Sequence, residues 1–379
     1  MFFDLNFSFI IFLAFSLFYV LFLLIWHYKL LKEVLTKPKN TKERPIEDGI
    51  SIIVAARNEA KNLIELIPQL FSQDYPKFEV IVVDDCSYDN TTDVLLALKA
   101  KFETFKTIKV EESNTFSGGK KFAITLGIKG ASYENLVFID ADCKPSSNNW
   151  LKTIANKFSE GNDVIIGFGG YQQEKSFLNF LIRTDTNINA VDFLSATSLG
   201  IPYMAVGRNF AYKKSLFFKH KGFAKHMHLK SGDDDLFLNQ VASSCKVGYL
   251  FTEGANTFSI PKKSFAAWFT QKNRHVSTFK KYPISKKILV FFLWWLKFSF
   301  YAIFIVTMVL NFDKLIIIIG IFLFLILIRL LILTPIMKRL EDGKLHFGII
   351  VFEPILIFFQ LFFPLVSMIK REVEWKSNI

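Results

Sequence analysis

Long stretches with almost no polar residue flank a central part in which apolar residues come in short, regularly spaced groups. Residues 7–26 carry no charge. An α-helix rises about 1.5 Å per residue, so about 20 such residues cross a hydrocarbon layer about 30 Å thick, and this segment is expected to be a transmembrane anchor. Residues 288–310, 315–333 and 347–369 are also of spanning length. The last is interrupted by Glu353, Pro354 and Pro364. If it crossed, Lys370 and Arg371 would lie outside, against the tendency of Lys and Arg to stay on the cytoplasmic side. A re-entrant or interfacial hairpin therefore stands beside a full span as the reading of that segment.

Between the flanks the period changes. Residues 51–56 (SIIVAA), 78–83 (FEVIVV) and 135–139 (NLVFI) are short, nearly continuous apolar runs, the pattern of strands in a parallel sheet covered on both faces. Residues 59–71 and 91–101 repeat apolar residues at helical spacing, the second opened by Asp89 and Asn90 as capping candidates. Strand and helix in alternation predict an α/β layer fold with right-handed crossovers, and a ligand crevice at the carboxyl ends of the strands. Residues 37–48, with Pro38, Pro45 and many charges, read as a linker.

Composition adds a solvent and a sidedness. The chain has 379 residues, 51% of them hydrophobic and 44 of them Phe, which excludes a disordered chain and an ordinary soluble domain. The formal charge of +12 sits largely beside the apolar stretches, in Lys29, Lys32, Lys37, Lys39, Lys42 and Arg44 and again in Lys280, Lys281, Lys286 and Lys287. That placement points to the cytoplasmic side of a membrane and not to nucleic acid. The start carries Asp4 and the basic cluster follows the span, unlike a secretory signal peptide, so the amino terminus is expected outside and the chain enters the cytoplasm near Tyr28. Cys86, Cys143 and Cys245 have no CxxC spacing, which suggests neither disulfides nor a thiolate metal site.

Candidate chemistry clusters at the expected strand ends. Asp140-Ala141-Asp142 follows the apolar run LVFI; side chains two apart in an extended segment share a face, so both carboxylates can approach one hard divalent cation, Mg²⁺ or Mn²⁺. An isolated D-x-D is usually a solvated turn, but Asp84 and Asp85 also end an apolar strand and would deliver acids to the same crevice. Asp84 could instead tie the following turn with Ser87 and Asp89. Ser117-Gly118-Gly119-Lys120-Lys121 precedes a helical pattern, where backbone N–H groups and a lysine could meet a phosphate. Ser231-Gly232-Asp233-Asp234-Asp235-Leu236-Phe237 crowds three acids at a helix start. Capping accounts for one of them; the full set asks for a base or a cation nearby. Residues 262–282, with Trp268, Phe269, Gln271, Arg274, His275 and Phe279 directly before a span, suit a helix lying in the membrane interface.

In this order the motifs resemble the membrane-bound family 2 glycosyltransferases, whose catalytic domain has the GT-A fold. VAARNEAKNL at 54–63 and VVDDCSYDNT at 82–91 look like the family's first two nucleotide strands, GGKKFAITLGI like its G-K-x-x-A-L-N-x-G-I segment, Asp140-Ala141-Asp142 like its D-x-D, and VGRNFAY at 206–212 like its G-x-N-x-A-Y strand. GDDD at 232–235 stands in the place of the acceptor-side E-D or G-E-D motif, and Gln271 to His275 in that of Q-x-x-R-W, with His275 replacing tryptophan. The resemblance implies a mostly parallel α/β GT-A domain flanked by transmembrane helices: an anchor at 1–28, a basic linker at 29–48, a cytoplasmic catalytic domain at 49–260, an interfacial segment at 261–285, a membrane region at 286–370 and a polar tail at 371–379. It implies inverting transfer from a nucleotide-diphosphate sugar, UDP-linked by preference, to a membrane lipid, lipid-linked or glycan hydroxyl at the plasma membrane. Arg57, Glu59, Asp84, Asp85, Lys120 and Asp140 would hold the donor, and Asp142 with Asp140 the divalent cation. Gly207, Asn209, Gln271, Arg274 and His275 would line the acceptor and diphosphate side. Asp234 or Asp233 would be the base, with G-E-D spacing favouring Asp234 and the downstream leucine favouring Asp233; Asp234 is narrowly preferred. A processive polysaccharide synthase, a non-catalytic sugar-nucleotide- or partner-binding protein, and a nucleotidyltransferase are the alternatives.

Overall fold

The computed structural model describes residues 7–36, 48–112, 119–229, 231–342, 345, 348 and 351–360. The expected linker from 37 to 47, Ser117 and Gly118, and the end of the last apolar stretch lie outside the described residues.

Strands β1 (Ile50–Ala56), β2 (Phe78–Asp85), β3 (Phe105–Val110) and β4 (Asn135–Phe138) pair in parallel in the order β3-β2-β1-β4. The sheet continues through β8 (Phe210–Lys213), antiparallel to both neighbours, to β6 (Val164–Ile166) and β9 (Val247–Tyr249). A smaller sheet joins β5 (Cys143–Pro145), β10 (Thr257–Ser259) and β7 (Gly169–Tyr171). Every residue of β1 is buried because alternate side chains enter different cores. Ile50, Ile52 and Val54 pack with Leu63, Leu66 and Leu70 of α2 (Ala60–Phe71), while Ile53 packs with Ala123, Ile124 and Ile128 of α4 (Lys120–Gly130). Helices on both faces are why the strands read as unbroken apolar runs. α3 (Thr91–Lys99) and α5 (Trp150–Ser159) complete the layer on the α2 side. β3 was not anticipated from sequence: it is the edge strand, its lysines Lys106 and Lys109 break the apolar run, and charge on an edge is normal for a strand that must not pair further.

The longest element of the domain, α6 (Phe177–Ser198), was also not anticipated; it is buried along nearly its whole length between the domain and the long apolar helices. Those helices are α1 (Phe7–Leu35), α10 (Ile284–Leu310) and α11 (Leu315–Arg339), each long and apolar enough to cross a membrane. Asn311 Nδ2 donates to Ser8 Oγ (2.8 Å) at one end of the bundle, and Lys29 Nζ donates to the Ser198 carbonyl (2.5 Å) at the other. The basic ends of α1 and α10 therefore lie on the domain side. α11 returns there too, since Glu341 just beyond it accepts from Asn256 Nδ2 (2.7 Å). α12 (Val351–Gln360) is the described part of the last apolar stretch and is too short to cross alone. Its Glu353 pairs with Arg329 of α11 and accepts from the Tyr301 hydroxyl of α10 (2.9 Å), so the charge that interrupts this stretch is neutralised inside the bundle. α7 (Lys214–Lys219), α8 (Asp235–Val241) and α9 (Phe265–Phe279) are the remaining helices of the domain and its membrane border.

Candidate active site

The carboxyl ends of β1 and β2 run into two tight turns in which Asn58 and Cys86 both take φ of 56°, a left-handed conformation that costs a side-chain-bearing residue about 1 kcal/mol or more. The turns are laced together. Asn58 N–H donates to Ser87 Oγ (2.9 Å), Tyr88 N–H to Asn58 Oδ1 (3.0 Å) and Glu59 N–H to Thr91 Oγ1 (3.0 Å). Arg57 and Glu59 thus stand in a wall fixed before any ligand arrives. Asp84, expected as a donor contact, faces the protein instead. It is 2% exposed, one oxygen accepts from Ser87 N–H (3.2 Å) and the other from the Thr92 hydroxyl (2.9 Å). The turn tie is its role in this fold, because both oxygens are spent inside the protein. Asp85 is fully buried and both of its oxygens accept from Gly119 N–H (3.0 and 2.9 Å). Burial pushes its carboxyl up, against the Gly119 bond and the Arg57 charge. Gly119 holds φ at +148°, which favours glycine, and begins α4. Asp85 therefore positions the start of α4, and with it Lys120.

Lys120 is the centre of the cleft. Its Nζ lies 2.9 Å from Asp140 Oδ1 and 3.1 Å from Asp233 Oδ2, joining the D-x-D to the GDDD run. Burial works against its charge, but the carboxylates of Asp140, Asp233 and Asp234 outweigh that and raise its proton affinity. Gly207 stands opposite. Its N–H donates to Asp234 Oδ2 (2.7 Å), and a Cβ there would come within 3.3 Å of Asp233 Oδ2 and 3.4 Å of Lys120 Nζ. A side chain there would press on the ends of these charged groups, which would have to give by a few tenths of an ångström. Asp234 caps α8, accepting from Asp235 N–H (2.7 Å) with its second oxygen. Burial first, then the charges of Asp233 and Asp235, raise its carboxyl well above the usual range.

Asp140, Asp142 and Cys143 place one ligand atom each within 4.8 Å of one another. The two acids differ. Burial would raise Asp140, but Lys120, Arg208 and Arg274 hold it low; Asp142 is raised by burial and by the charges of Asp140 and Glu59. Burial and the charges of Asp142 and Asp140 push the Cys143 thiol well up, so it stays protonated and is a poor ligand. Two carboxylates with one partly uncompensated charge are a donor set suited to a hard divalent cation.

Of the residues expected on the acceptor side, Gly207 is in the cleft and Asn209 is not. Asn209 is 1% exposed, accepts from Trp150 Nε1 (3.1 Å) and donates to the carbonyls of Phe168 (2.8 Å) and Ala255 (2.9 Å). Its amide is consumed in tying the two sheets together, which corrects the expectation. Arg274 of α9 lies near enough to lower Asp140, yet its Nε is buried without a hydrogen-bond partner. Gln271 is half-buried and His275 exposed on the same helix. Sequence reasoning passed over two residues here. Arg208, between Gly207 and Asn209, stacks on the Tyr171 ring at 4.5 Å and donates to the Gly169 carbonyl (2.9 Å), placing a cation that helps hold Asp140 low and partly offsets the rise of Asp142. Asp235 accepts from the hydroxyls of Thr278 (2.6 Å) and Tyr282 (2.8 Å), locking α9 to the start of α8. Arg208 stands inside the VGRNFAY segment and Asp235 inside the run of three acids, and sequence alone assigned neither a partner.

The chain is similar to several sugar-transferring proteins. It is 34% identical over 139 residues to the poly-β-1,6-N-acetyl-D-glucosamine synthase of Staphylococcus epidermidis, covering 34% of this chain and 32% of that one. It is 38% identical over 94 residues to the poly(ribitol-phosphate) β-N-acetylglucosaminyltransferase TarS of Staphylococcus aureus, covering 24% and 16%. The chain thus spans a third or less of the length of these curated relatives. In structure it is similar to the mannosyltransferase PcManGT of Pyrobaculum calidifontis, solved with GDP-Man and Mn²⁺, with a TM-score of 0.53 at 18% identity over 88% of this chain and 98% of that one, a likeness of fold. Residues 51–224 match the family described as Glycosyl transferase family 2. The motifs, the sheet topology and this match agree, and residues 51–224 are a glycosyl transferase family 2 domain with a GT-A-like α/β fold.

Proposed function

We propose that the chain transfers a sugar, with inversion, from a nucleotide-diphosphate sugar to a hydroxyl acceptor at the cytoplasmic face of the plasma membrane. The observation that carries this reading is Lys120, shared between Asp140 at 2.9 Å and Asp233 at 3.1 Å: the group suited to a donor phosphate also touches an acid suited to an acceptor proton. A divalent cation held by Asp142 and Asp140 would neutralise charge on the leaving diphosphate, typically a contribution of several kcal/mol. The unpaired Nε of Arg274 supports a diphosphate contact from α9. The Mn²⁺ in the mannosyltransferase supports the cation, and the names of the staphylococcal relatives make a nucleotide-linked N-acetylglucosamine the first donor to try, UDP-linked by the preference the family resemblance implies.

The structural duties of the two candidate bases differ, and this moves the preference from Asp234 to Asp233. Asp234 spends both oxygens on backbone N–H groups, which is the work of a positioning residue. Asp233 faces Lys120. When the ammonium moves onto an incoming phosphate, Asp233 is freed from its ion pair and can take the proton of an acceptor hydroxyl beside it. Three spanning helices among the described residues offer little material for a channel within one chain, which favours transfer to a lipid or lipid-linked acceptor over processive export.

The test is release of nucleoside diphosphate by the detergent-purified chain across a panel of sugar nucleotides with Mg²⁺ or Mn²⁺ and a lipid extract. Release from one donor, lost in Asp142→Asn, is expected. Asp233→Asn should keep donor binding and lose transfer by about 10²-fold or more, and Asp234→Asn should fall less. Release unchanged in both Asp142→Asn and Asp233→Asn would overturn the site.

A further inference from the structure

Beside α8 lies a cavity of about 290 Å³, lined by Lys225, His226, His228, Asn239, Gln240 and Lys281 among others. No acidic side chain is among the described residues that line it. His226 is 6% exposed, yet neither of its ring nitrogens has a hydrogen-bond partner. The amide oxygens of Asn239 and Gln240 are likewise buried and unpartnered, while their N–H groups are used on backbone carbonyls. Buried polar groups are seldom left this way, and three of them around one cavity point to a missing ligand. The cationic lining asks for an anion, and the amide oxygens ask for hydrogen-bond donors.

Position narrows the choice. Pro283, also in the lining, immediately precedes the membrane-spanning α10, so the cavity opens at the depth of lipid phosphates. We propose that it binds the headgroup of an anionic membrane lipid, a phosphate diester carrying hydroxyls such as glycerophosphate. The phosphate lies among Lys225, His228 and Lys281, and the hydroxyls reach His226 and the two amide oxygens. The wall of the cavity is tied to the cleft, because Lys121 Nζ, next to Lys120, donates to the carbonyls of His226 (2.6 Å) and Leu229 (3.2 Å). This proposal rests on the membrane reading of the apolar helices and not on the glycosyl-transfer reading, and the experiment involves no turnover.

The test is native mass spectrometry of the full chain in detergent, after lipid removal, with phosphatidylglycerol or phosphatidylcholine added. One phosphatidylglycerol should survive activation on the wild-type chain, with phosphatidylcholine lost. Lys225→Gln with Lys281→Gln should weaken retention by roughly tenfold or more. Lys286→Gln with Lys287→Gln, on the adjacent basic turn outside the cavity, should leave it intact. Lys225 and Lys281 are exposed and Lys286 and Lys287 half-buried, and an unchanged melting temperature confirms folding in each double variant. Equal loss in the two double variants would mean general attraction to a basic surface, and equal retention of both lipids would mean no headgroup site; either overturns the proposal. Displacement of the lipid by an equal concentration of inorganic phosphate would overturn the lipid assignment in favour of a free anion.

Discussion

The interior of the sheet and the interior around α6 are both buried, but they are held by opposite means. Around β1 and β2 the core is aliphatic, and its buried carboxylates sit at the two ends of β2, Glu79 under Ser51, Ser132 and Lys106 at one end and Asp84 and Asp85 at the other. Around α6 the same degree of burial encloses charge. Arg183 pairs with Asp342, Asp185 with Lys272, Asp192 with Lys297, and Ser195 with His27 at 2.8 Å. Each partner comes from an element of the membrane side. An aliphatic core sets how much the domain gains by folding; paired charges specify which surfaces meet and at what angle, since removing one partner strands the other.

The largest effect should come from breaking that pairing. Asp342→Ala leaves the Arg183 guanidinium and the Asn187 amide, now 2.7 Å from Asp342, buried without their acceptor, and should destabilise by about 3–5 kcal/mol in detergent melts. Ile81→Ala in the sheet should cost about 2–5 kcal/mol, the ordinary range for a core cavity. The comparison sharpens with Arg183→Met combined with Asp342→Leu, which should recover most of the stability lost in Asp342→Ala because apolar replacement of a whole buried pair is often near neutral. If the double variant were as unstable as the single, the charges would be contributing stability directly. Tyr282→Phe removes one of two hydroxyls on Asp235 and should cost about 1 kcal/mol, with a higher KM for acceptor and little change in kcat if α9 only orients the acceptor side.

The smallest effect is a pH dependence confined to the sheet. Burial would raise the Glu79 carboxyl, but hydrogen bonds from Lys106, Ser51 and Ser132 bring it below its ordinary 4.5. A carboxyl lowered by folding contributes stability above its unfolded pKa and loses it as pH falls through the folded value. Melting temperature should therefore drop on acidification below about 4.5 more steeply for the wild type than for Glu79→Gln, a difference absent at neutral pH.

What sequence reasoning could see follows the same division. β1, β2 and β4 were legible because helices cover both faces and leave continuous apolar runs. α6 was not, because its buried residues include Asn179, Arg183, Asp185, Asn187 and Asp192, which imitate a solvated segment until their partners, up to 159 residues away, are known. In the cleft, Lys120, Asp140, Asp233, Asp234 and Gly207 were singled out and the structure brings them together. Asp84 and Asn209 were singled out for the right neighbourhood and the wrong direction. A motif records that a side chain is needed at a position, and only packing shows whether it faces the ligand or the protein.

α6 also bears on how such a protein can be cut and joined. A boundary drawn where the polarity of the chain changes would separate α6 from Asp342, Lys297 and His27, leaving Arg183, Asp192 and Ser195 without their partners on a newly bared surface. The excised piece should precipitate on expression. Exchange of modules between relatives would have to carry α6 together with the helices it meets, so the heritable unit of this protein joins the α/β domain to its long apolar helices.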